Sequence, residues 1–228
     1  REVLPSGATK ANDYKSGNYT YDPDSYTVKV TVTDNGNGTL NVVPTVENTA
    51  TVEFVNTYNA EGGLAISVQK EVVSSTDTTK MLDIPTDKSF EFVLYKGENS
   101  TDRNTEVESI YSPSSGSVSS FENISYTAAD IDNTFYYQVR EKKDLTKTWY
   151  MYSEDYYDID VTVKDGGEGK LSIIKTIYKN GEKKQEVTDD TPLTFVFTNK
   201  YKATGAIPLT LTKTLTGKNL TDGMFTFE

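Results

Sequence analysis

The strongest constraint on this chain is an internal repeat of short strands and turns. The β-branched segment Tyr26–Asp34 and the glycine-containing loop behind it match Tyr157–Asp165 and the loop that follows there. Further along, Phe54–Tyr58 matches Phe197–Tyr201. Self-similarity of this kind is typical of tandem copies of one folded unit. We therefore expect repeated modules of the same architecture.

The repeat also relates particular polar residues. Asn56 and Asn199 are 143 residues apart, and Lys70 and Lys213 are separated by the same interval. Each of these lysines therefore follows an equivalent asparagine after one fixed spacing. Recurrence at matching places indicates that both residue types have a role in every module.

The alignment of Glu2 with Glu141 extends the repeat upstream. We expect residues 61–202 to form one complete module, residues 1–60 the back part of a preceding copy, and residues 203–228 the first strands of a following copy. On this interpretation the chain is a window on a longer tandem array.

Local patterns predict strands almost throughout. Short β-branched and aromatic runs are separated by turn clusters, among which Asn180-Gly181 is the clearest hairpin signal. A Ser/Gly/Pro loop is expected at Ser112–Ser120 and a single helical turn at Tyr126–Asp130. The predicted fold class is all-β, with tandem β-sandwich modules.

Composition excludes several function classes. The net charge of -11, from 23 basic and 34 acidic residues, argues against nucleic acid as a partner. The sequence contains no apolar run of about 20 residues, so it predicts no membrane insertion. Cysteine and histidine are both absent, which removes disulfides, thiol nucleophiles, the usual zinc sites and histidine-dependent triads. We predict no metal site, no cofactor and an extracellular location.

On each of three predicted strands, one polar residue falls on the same face as the apolar residues of that strand. Lys70 alternates with Leu64, Ile66, Val68 and Val72; Asn199 with Phe195, Phe197 and Tyr201; and Glu141 with Phe135, Tyr137 and Val139. All three are therefore expected to point inward, where an isolated charge costs several kcal/mol.

Together these groups form a candidate reactive set. An apolar setting favours a neutral lysine amine beside a neutral glutamic acid. The Lys70 amine can then attack the side-chain carbonyl of Asn199 while Glu141 hydrogen-bonds the carbonyl oxygen and shuttles protons, which releases ammonia and leaves an amide. The alternative is structural: Lys70 extends to solvent, Glu141 is its ion-pair partner and Asn199 caps a turn.

The sequence resembles the streptococcal pilin isopeptide-linkage domain family of Gram-positive backbone pilins and surface adhesins. The matching segments are Lys213–Lys218, Gly223–Glu228, Tyr137–Glu141, Phe54–Tyr58 and Phe197–Tyr201. The resemblance implies an Ig-like sandwich in which Lys70 is joined to Asn199 with Glu141 as the catalyst. The chain departs from the family after Lys70, where the expected glycine is missing and a longer insertion runs to Lys88.

For the split copies the resemblance implies the same roles. Glu2 is the catalytic glutamate of residues 1–60, and Asn56 and Lys213 are the cross-linking residues. Their partners are expected outside this window or in a neighbouring chain.

Two functions follow from these observations. The first is a structural pilus or stalk module, whose partners are neighbouring modules or subunits in a fibre on a Gram-positive cell surface. The second is an adhesin domain that binds a host protein or glycan through exposed aromatic residues such as Trp149–Tyr152 or acidic turns such as Glu154–Asp158. A conventional enzyme is not expected, because the predicted reaction occurs once per molecule.

Overall fold

The computed structural model describes residues 1–47, 49, 51–84, 90–112, 118–188 and 191–227. In residues 1–60 the strands are β1 Lys15–Ser16, β2 Tyr19–Thr20, β3 Val28–Asp34, β4 Leu40–Val46 and β5 Thr57–Tyr58. The later strands are β6 Glu61–Leu64, β7 Ile66–Ser74, β8 Glu91–Gly97, β9 Thr105–Tyr111, β10 Val118–Ser120, β11 Ile124–Thr127, β12 Thr134–Lys142, β13 Tyr150–Met151, β14 Tyr156–Gly167, β15 Lys170–Lys179, β16 Glu182–Val187 and β17 Leu193–Tyr201.

Two sheets form a sandwich from strands β6 to β17. One sheet has the order β10-β7-β17-β13, and the other has the order β11-β6-β15-β14-β12-β8-β9, with β16 added beside β15. Rings from the two sheets meet between them: Phe92 lies 5.1 Å from Phe197, and Tyr157 stacks on Phe195 at 4.4 Å. The predicted all-β sandwich is confirmed.

The first and last strands along the chain in the four-stranded sheet are neighbours. Strands β7 and β17 run parallel, with Lys70 opposite Phe197 and Val72 opposite Asn199. Inward residues alternate along β17, where Leu193, Phe195, Phe197 and Asn199 are buried. The period-two pattern of the sequence therefore turns the amide of Asn199 toward the core.

Several local predictions are met. Asn180 and Gly181 form the turn between β15 and β16, and both have the positive φ angles, 53° and 80°, that a two-residue hairpin of this type requires. The expected helical turn is a 3₁₀-helix at Ala128–Asp130, and a second one lies at Lys10–Asn12. Neither of the helices in the described residues has the length and apolar character needed to cross a bilayer.

The predicted loop Ser112–Ser120 is partly wrong. Its last three residues form β10, which pairs with β7 through Val118 opposite Gln69. Serine and valine in a short edge strand gain hydrogen bonds from their partner, and that pairing overrides the loop-like composition. Residues 113–117 lie outside the described residues, as do residues 85–89 at the end of the insertion that reaches Lys88.

Residues 203–227 also differ from the expectation. The strands predicted there are not formed in this part of the chain, and Leu209 and Leu211 are exposed. A strand needs a neighbour that completes its backbone hydrogen bonds, and no described strand pairs with this segment. The alternation of apolar residues that is typical of a strand is present in this segment, but no described strand lies beside it.

Candidate cross-linking site

Strand β7 places Lys70 in the core of the sandwich. Lys70 is 1% exposed, and its Nζ atom lies 4.7 Å from the centroid of the Phe90 ring and 6.0 Å from that of Phe92. Aromatic ring faces attract a cation, but they do not replace the water that a buried ammonium loses. The amine therefore needs a further partner at this depth.

Glu141 supplies that partner. It lies near the end of β12, opposite Phe92 of β8. The Lys70 Nζ atom donates a hydrogen bond to Glu141 Oε2 at 2.9 Å, and both side chains are fully shielded from solvent. This burial excludes the part of the structural alternative in which Lys70 extends to solvent, whereas the ion pair that the same alternative expected with Glu141 is present.

The amide of Asn199 completes the cluster. Its Nδ2 atom donates to Glu141 Oε1 at 2.7 Å, and its Oδ1 atom accepts a hydrogen bond from the backbone N–H of Ser153 at 2.7 Å. One carboxylate thus touches both the amine and the amide. We expected Glu141 to contact the amide oxygen; in the structure it contacts the nitrogen, and the Ser153 N–H contacts the oxygen.

Burial controls the protonation of both ionisable groups. It lowers the pKa of Lys70 to about 8, although the Glu141 carboxylate opposes the shift. It raises the pKa of Glu141 above its usual value, while hydrogen bonds from Lys70 and Asn199 oppose that change. The two pKa values therefore move toward each other, which makes the neutral pair of amine and carboxylic acid more accessible than in water.

The sequence matches the family described as Spy0128-like isopeptide containing domain (FctA) over residues 7–59 and 66–202. The chain belongs to this family. The search of curated proteins gave no match.

Two solved pilin structures are similar to this member of the Spy0128-like family. One is the major pilin protein (T3.2) of a Streptococcus pyogenes serotype, with 20% identity, a TM-score of 0.26 and coverage of 82% of this chain and 64% of the pilin. The other is a mutant of the major pilin of Streptococcus pyogenes, with 19% identity, a TM-score of 0.25 and coverage of 82% and 66%. This chain thus spans about two thirds of the length of those pilins.

The Spy0128-like match at residues 7–59 lies within the predicted split copy of residues 1–60, and the structure brings together two of the residues predicted for that copy. Asn56 Nδ2 donates to Glu2 Oε1 at 2.8 Å, although Asn56 is exposed. Lys213 is not part of this contact. It is exposed, and its Nζ atom lies 4.5 Å from the centroid of the Phe225 ring.

Sequence reasoning missed the backbone donor at Ser153 and the ring of Phe90 beside Lys70. The repeat contains a signal for the first. Tyr19 and Tyr21 align with Tyr150 and Tyr152, so Asp22 aligns with Ser153. The backbone N–H of Asp22 donates to Asn56 Oδ1 at 2.9 Å, which is the equivalent hydrogen bond.

The other segments singled out in the sequence are partly engaged within the protein, although Trp149 remains about half exposed. Tyr150 and Tyr152 pack edge-on against Phe90, at 5.0 and 6.0 Å. In the acidic turn, Glu154 pairs with Lys143 and Asp155 with Lys179. Among the described residues no group of three or more acidic side chains is arranged to hold a metal ion.

Proposed function

We propose that this chain is a structural segment of a Gram-positive surface pilus or adhesin stalk, and that its module at residues 61–202 is closed by an amide between Lys70 and Asn199. Residues 1–60 and 203–228 belong to a preceding and a following module. The observation that carries the proposal is the buried contact of one carboxylate, Glu141, with both the amine and the amide. Membership of the Spy0128-like family supports it.

Each residue of the cluster has one role in the reaction. The neutral amine of Lys70 attacks Cγ of Asn199, and the Ser153 N–H stabilises the negative charge that develops on Oδ1. Glu141 accepts a proton from Nζ and delivers one to Nδ2, since it contacts both nitrogens. The bond from Cγ to Nδ2 breaks, ammonia leaves, and Glu141 ends in its starting state. The reaction occurs once, so the protein is not an enzyme that turns over.

The position of the amide suits a fibre under tension. Strands β7 and β17 are adjacent and parallel, so a pull from the two neighbouring modules runs along both strands in opposite directions. The amide carries that load between β7 and β17. By the chain-entropy treatment of cross-links, closing a loop of about 130 residues adds roughly 4 to 5 kcal/mol of stability.

The partners implied are neighbouring modules or subunits of the same fibre on the bacterial surface. The alternative function, binding of a host protein or glycan, rested on the tyrosine-rich segment and the acidic turns. Those tyrosines pack against Phe90, and the turn carboxylates are held in ion pairs. No described contact favours this second function over the first.

Intact mass spectrometry tests the proposal. The purified chain is expected to weigh about 17 Da less than its sequence mass, because one ammonia is lost per amide. Lys70→Met and Glu141→Ala variants are expected to show their full sequence masses. A tryptic fragment that joins the Lys70 and Asn199 peptides would locate the bond.

Lys175 provides a matched control. It is also a buried lysine on an inward strand position, but its Nζ atom donates to the backbone oxygen of Thr191. The Lys175→Met variant should therefore keep the 17 Da deficit, provided that circular dichroism shows it folded. A wild-type chain at full sequence mass would refute the cross-link.

A further inference from the structure

The hairpin turn between β14 and β15 contacts the end of residues 1–60. This turn, residues 165–169, lies beside Tyr58 of β5. The Tyr58 hydroxyl donates a hydrogen bond to Asp165 Oδ1 at 2.9 Å and accepts one from the backbone N–H of Gly169 at 3.2 Å. A single hydroxyl thus uses its donor and an acceptor lone pair on the same turn. We call Tyr58, Asp165 and Gly169 the junction.

The ring of Tyr58 belongs to both parts of the chain that meet here. Its strand pairs with β2, where Tyr19 lies opposite, and the two rings are 5.2 Å apart. The same ring packs against the hydrophobic core of the sandwich. Movement of residues 1–60 away from the sandwich would break both hydrogen bonds and expose the ring to water, which opposes such movement.

The turn approaches residues 1–60 too closely for a side chain at Gly169. This glycine has a φ angle of 74°, and a Cβ atom there would lie 2.5 Å from Oδ1 of Asn18. The backbone oxygen of Asn18 in turn accepts a hydrogen bond from the backbone N–H of Asn59 at 2.7 Å. Gly169 is therefore needed both for its backbone conformation and for the contact with Asn18.

The residues that connect the two parts are themselves held in the sandwich. The family matches at residues 7–59 and 66–202 are joined through β6, Glu61–Leu64, which lies between β11 and β15. Ala60 and Leu64 are buried, and the backbone N–H of Glu61 donates to the Gly169 oxygen at 3.1 Å. The connection is thus a paired strand, which leaves little freedom for bending.

The repeat contains both sides of this contact. The residues of the junction have equivalents at matching positions: Asp34 for Asp165, Gly38 for Gly169, and Tyr201 for Tyr58. Tyr201 lies 5.3 Å from the ring of Tyr150, much as Tyr58 lies 5.2 Å from that of Tyr19. Gly38 shares the positive φ angle of Gly169, at 80°. Each copy therefore carries a strand-end tyrosine and a turn of the kind that receives one.

We propose that the turn at residues 165–169 is a docking surface for the strand-end tyrosine of the preceding copy, and that this contact holds successive copies in one relative orientation. The turn offers a carboxylate acceptor and a backbone N–H donor, so it recognises a hydroxyl as well as a ring. The inference rests on the tandem arrangement in the proposed function, but it does not depend on the amide.

Distances between two spin labels test the inference. The chain has no cysteine, so labels attach only where Lys15→Cys in β1 and Lys184→Cys in β16 introduce one, both at exposed positions. Pulsed electron paramagnetic resonance should then give one narrow distance distribution. Tyr58→Phe, which removes only the hydroxyl, should broaden it. Gly169→Ala should also lose the narrow distance, because the new methyl group would overlap Asn18.

Two matched controls stay close to the junction. Tyr19→Phe removes the hydroxyl of the neighbouring ring, which is about half exposed. Gly167→Ala alters the same turn at a similar φ angle, 80°, but its Cβ would meet nothing within 4 Å. Both variants should therefore keep the narrow distribution.

Intact mass on the same samples separates this inference from the cross-link. The deficit of about 17 Da should persist in every variant, which also shows that the sandwich has folded. A distribution that stays narrow and unchanged in Tyr58→Phe and Gly169→Ala would overturn the junction and leave the amide intact, as would a broad distribution in the labelled chain without further substitution. Full sequence mass together with a narrow distance would instead refute the amide and leave the junction standing.

Discussion

At the scale of single residues, the chemistry depends on neighbours and not on burial alone. Lys70 and Lys175 are both almost fully buried lysines on inward strand positions. Lys70 meets a carboxylate that also holds an amide, whereas Lys175 donates to the backbone oxygen of Thr191. The alternation of apolar residues predicts an inward position for both lysines and so does not tell which one is the cross-linking residue. The repeat separates them, because Lys213 matches Lys70, whereas Pro44 occupies the position equivalent to Lys175.

The lowered pKa of Lys70 predicts how stability depends on pH in an unlinked variant. In Asn199→Ala no amide can form, and Lys70 titrates at about 8 when folded and at 10.5 when unfolded. Above pH 8 the unfolded chain therefore binds more protons, so the free energy of unfolding should rise with pH, by about 2 kcal/mol over about 1.5 pH units.

Urea unfolding at several pH values above 8 measures this rise. The double variant Lys70→Met/Asn199→Ala removes the titrating group and should show no such increase. Equal pH dependence in the single and double variants would mean that the Lys70 amine is not destabilised by burial.

At the scale of elements, the alternation of side chains along each strand determines which parts of the candidate site could be predicted from the sequence. Alternation alone indicated that Lys70, Glu141 and Asn199 point inward, and the burial of all three confirms that orientation. The sequence could not place the Ser153 N–H on the amide oxygen, since that contact depends on how the chain crosses from β12 to β14. The exposure of residues 203–227 was equally unpredictable, because a strand pattern does not reveal whether a partner strand is present.

Strand phase also provides a test by insertion. One alanine inserted between Thr198 and Asn199 should turn the amide to the outer face of β17 while Phe197 and the residues before it keep their phase. The amide could not then form, and the mass deficit should disappear. An alanine inserted in the turn at Asn180-Gly181 should leave the deficit unchanged. Retention of the deficit in the first variant would contradict the assigned geometry.

At the scale of the whole molecule, the arrangement of β7 and β17 connects chemistry to mechanics. In the proposed fibre, β7 and β17 would carry tension across residues 61–202, and these two strands lie side by side. Hydrogen bonds between sheared strands yield one after another under sustained load, whereas an amide between the strands does not. On the proposed function, the buried cluster would join the two strands at which the module would otherwise begin to open.

Single-molecule stretching gives the corresponding prediction. The 128 residues between Lys70 and Asn199 are bypassed by the amide, so the wild-type chain should extend only through the segments outside them. The Glu141→Ala variant, which lacks the link, should release about 45 nm of additional contour length when the module unfolds. The folded Lys175→Met variant should behave as the wild type, since its cluster is intact. If the wild type released the same length as Glu141→Ala while retaining its mass deficit, the bond would lie elsewhere and the load path through β7 and β17 would be wrong.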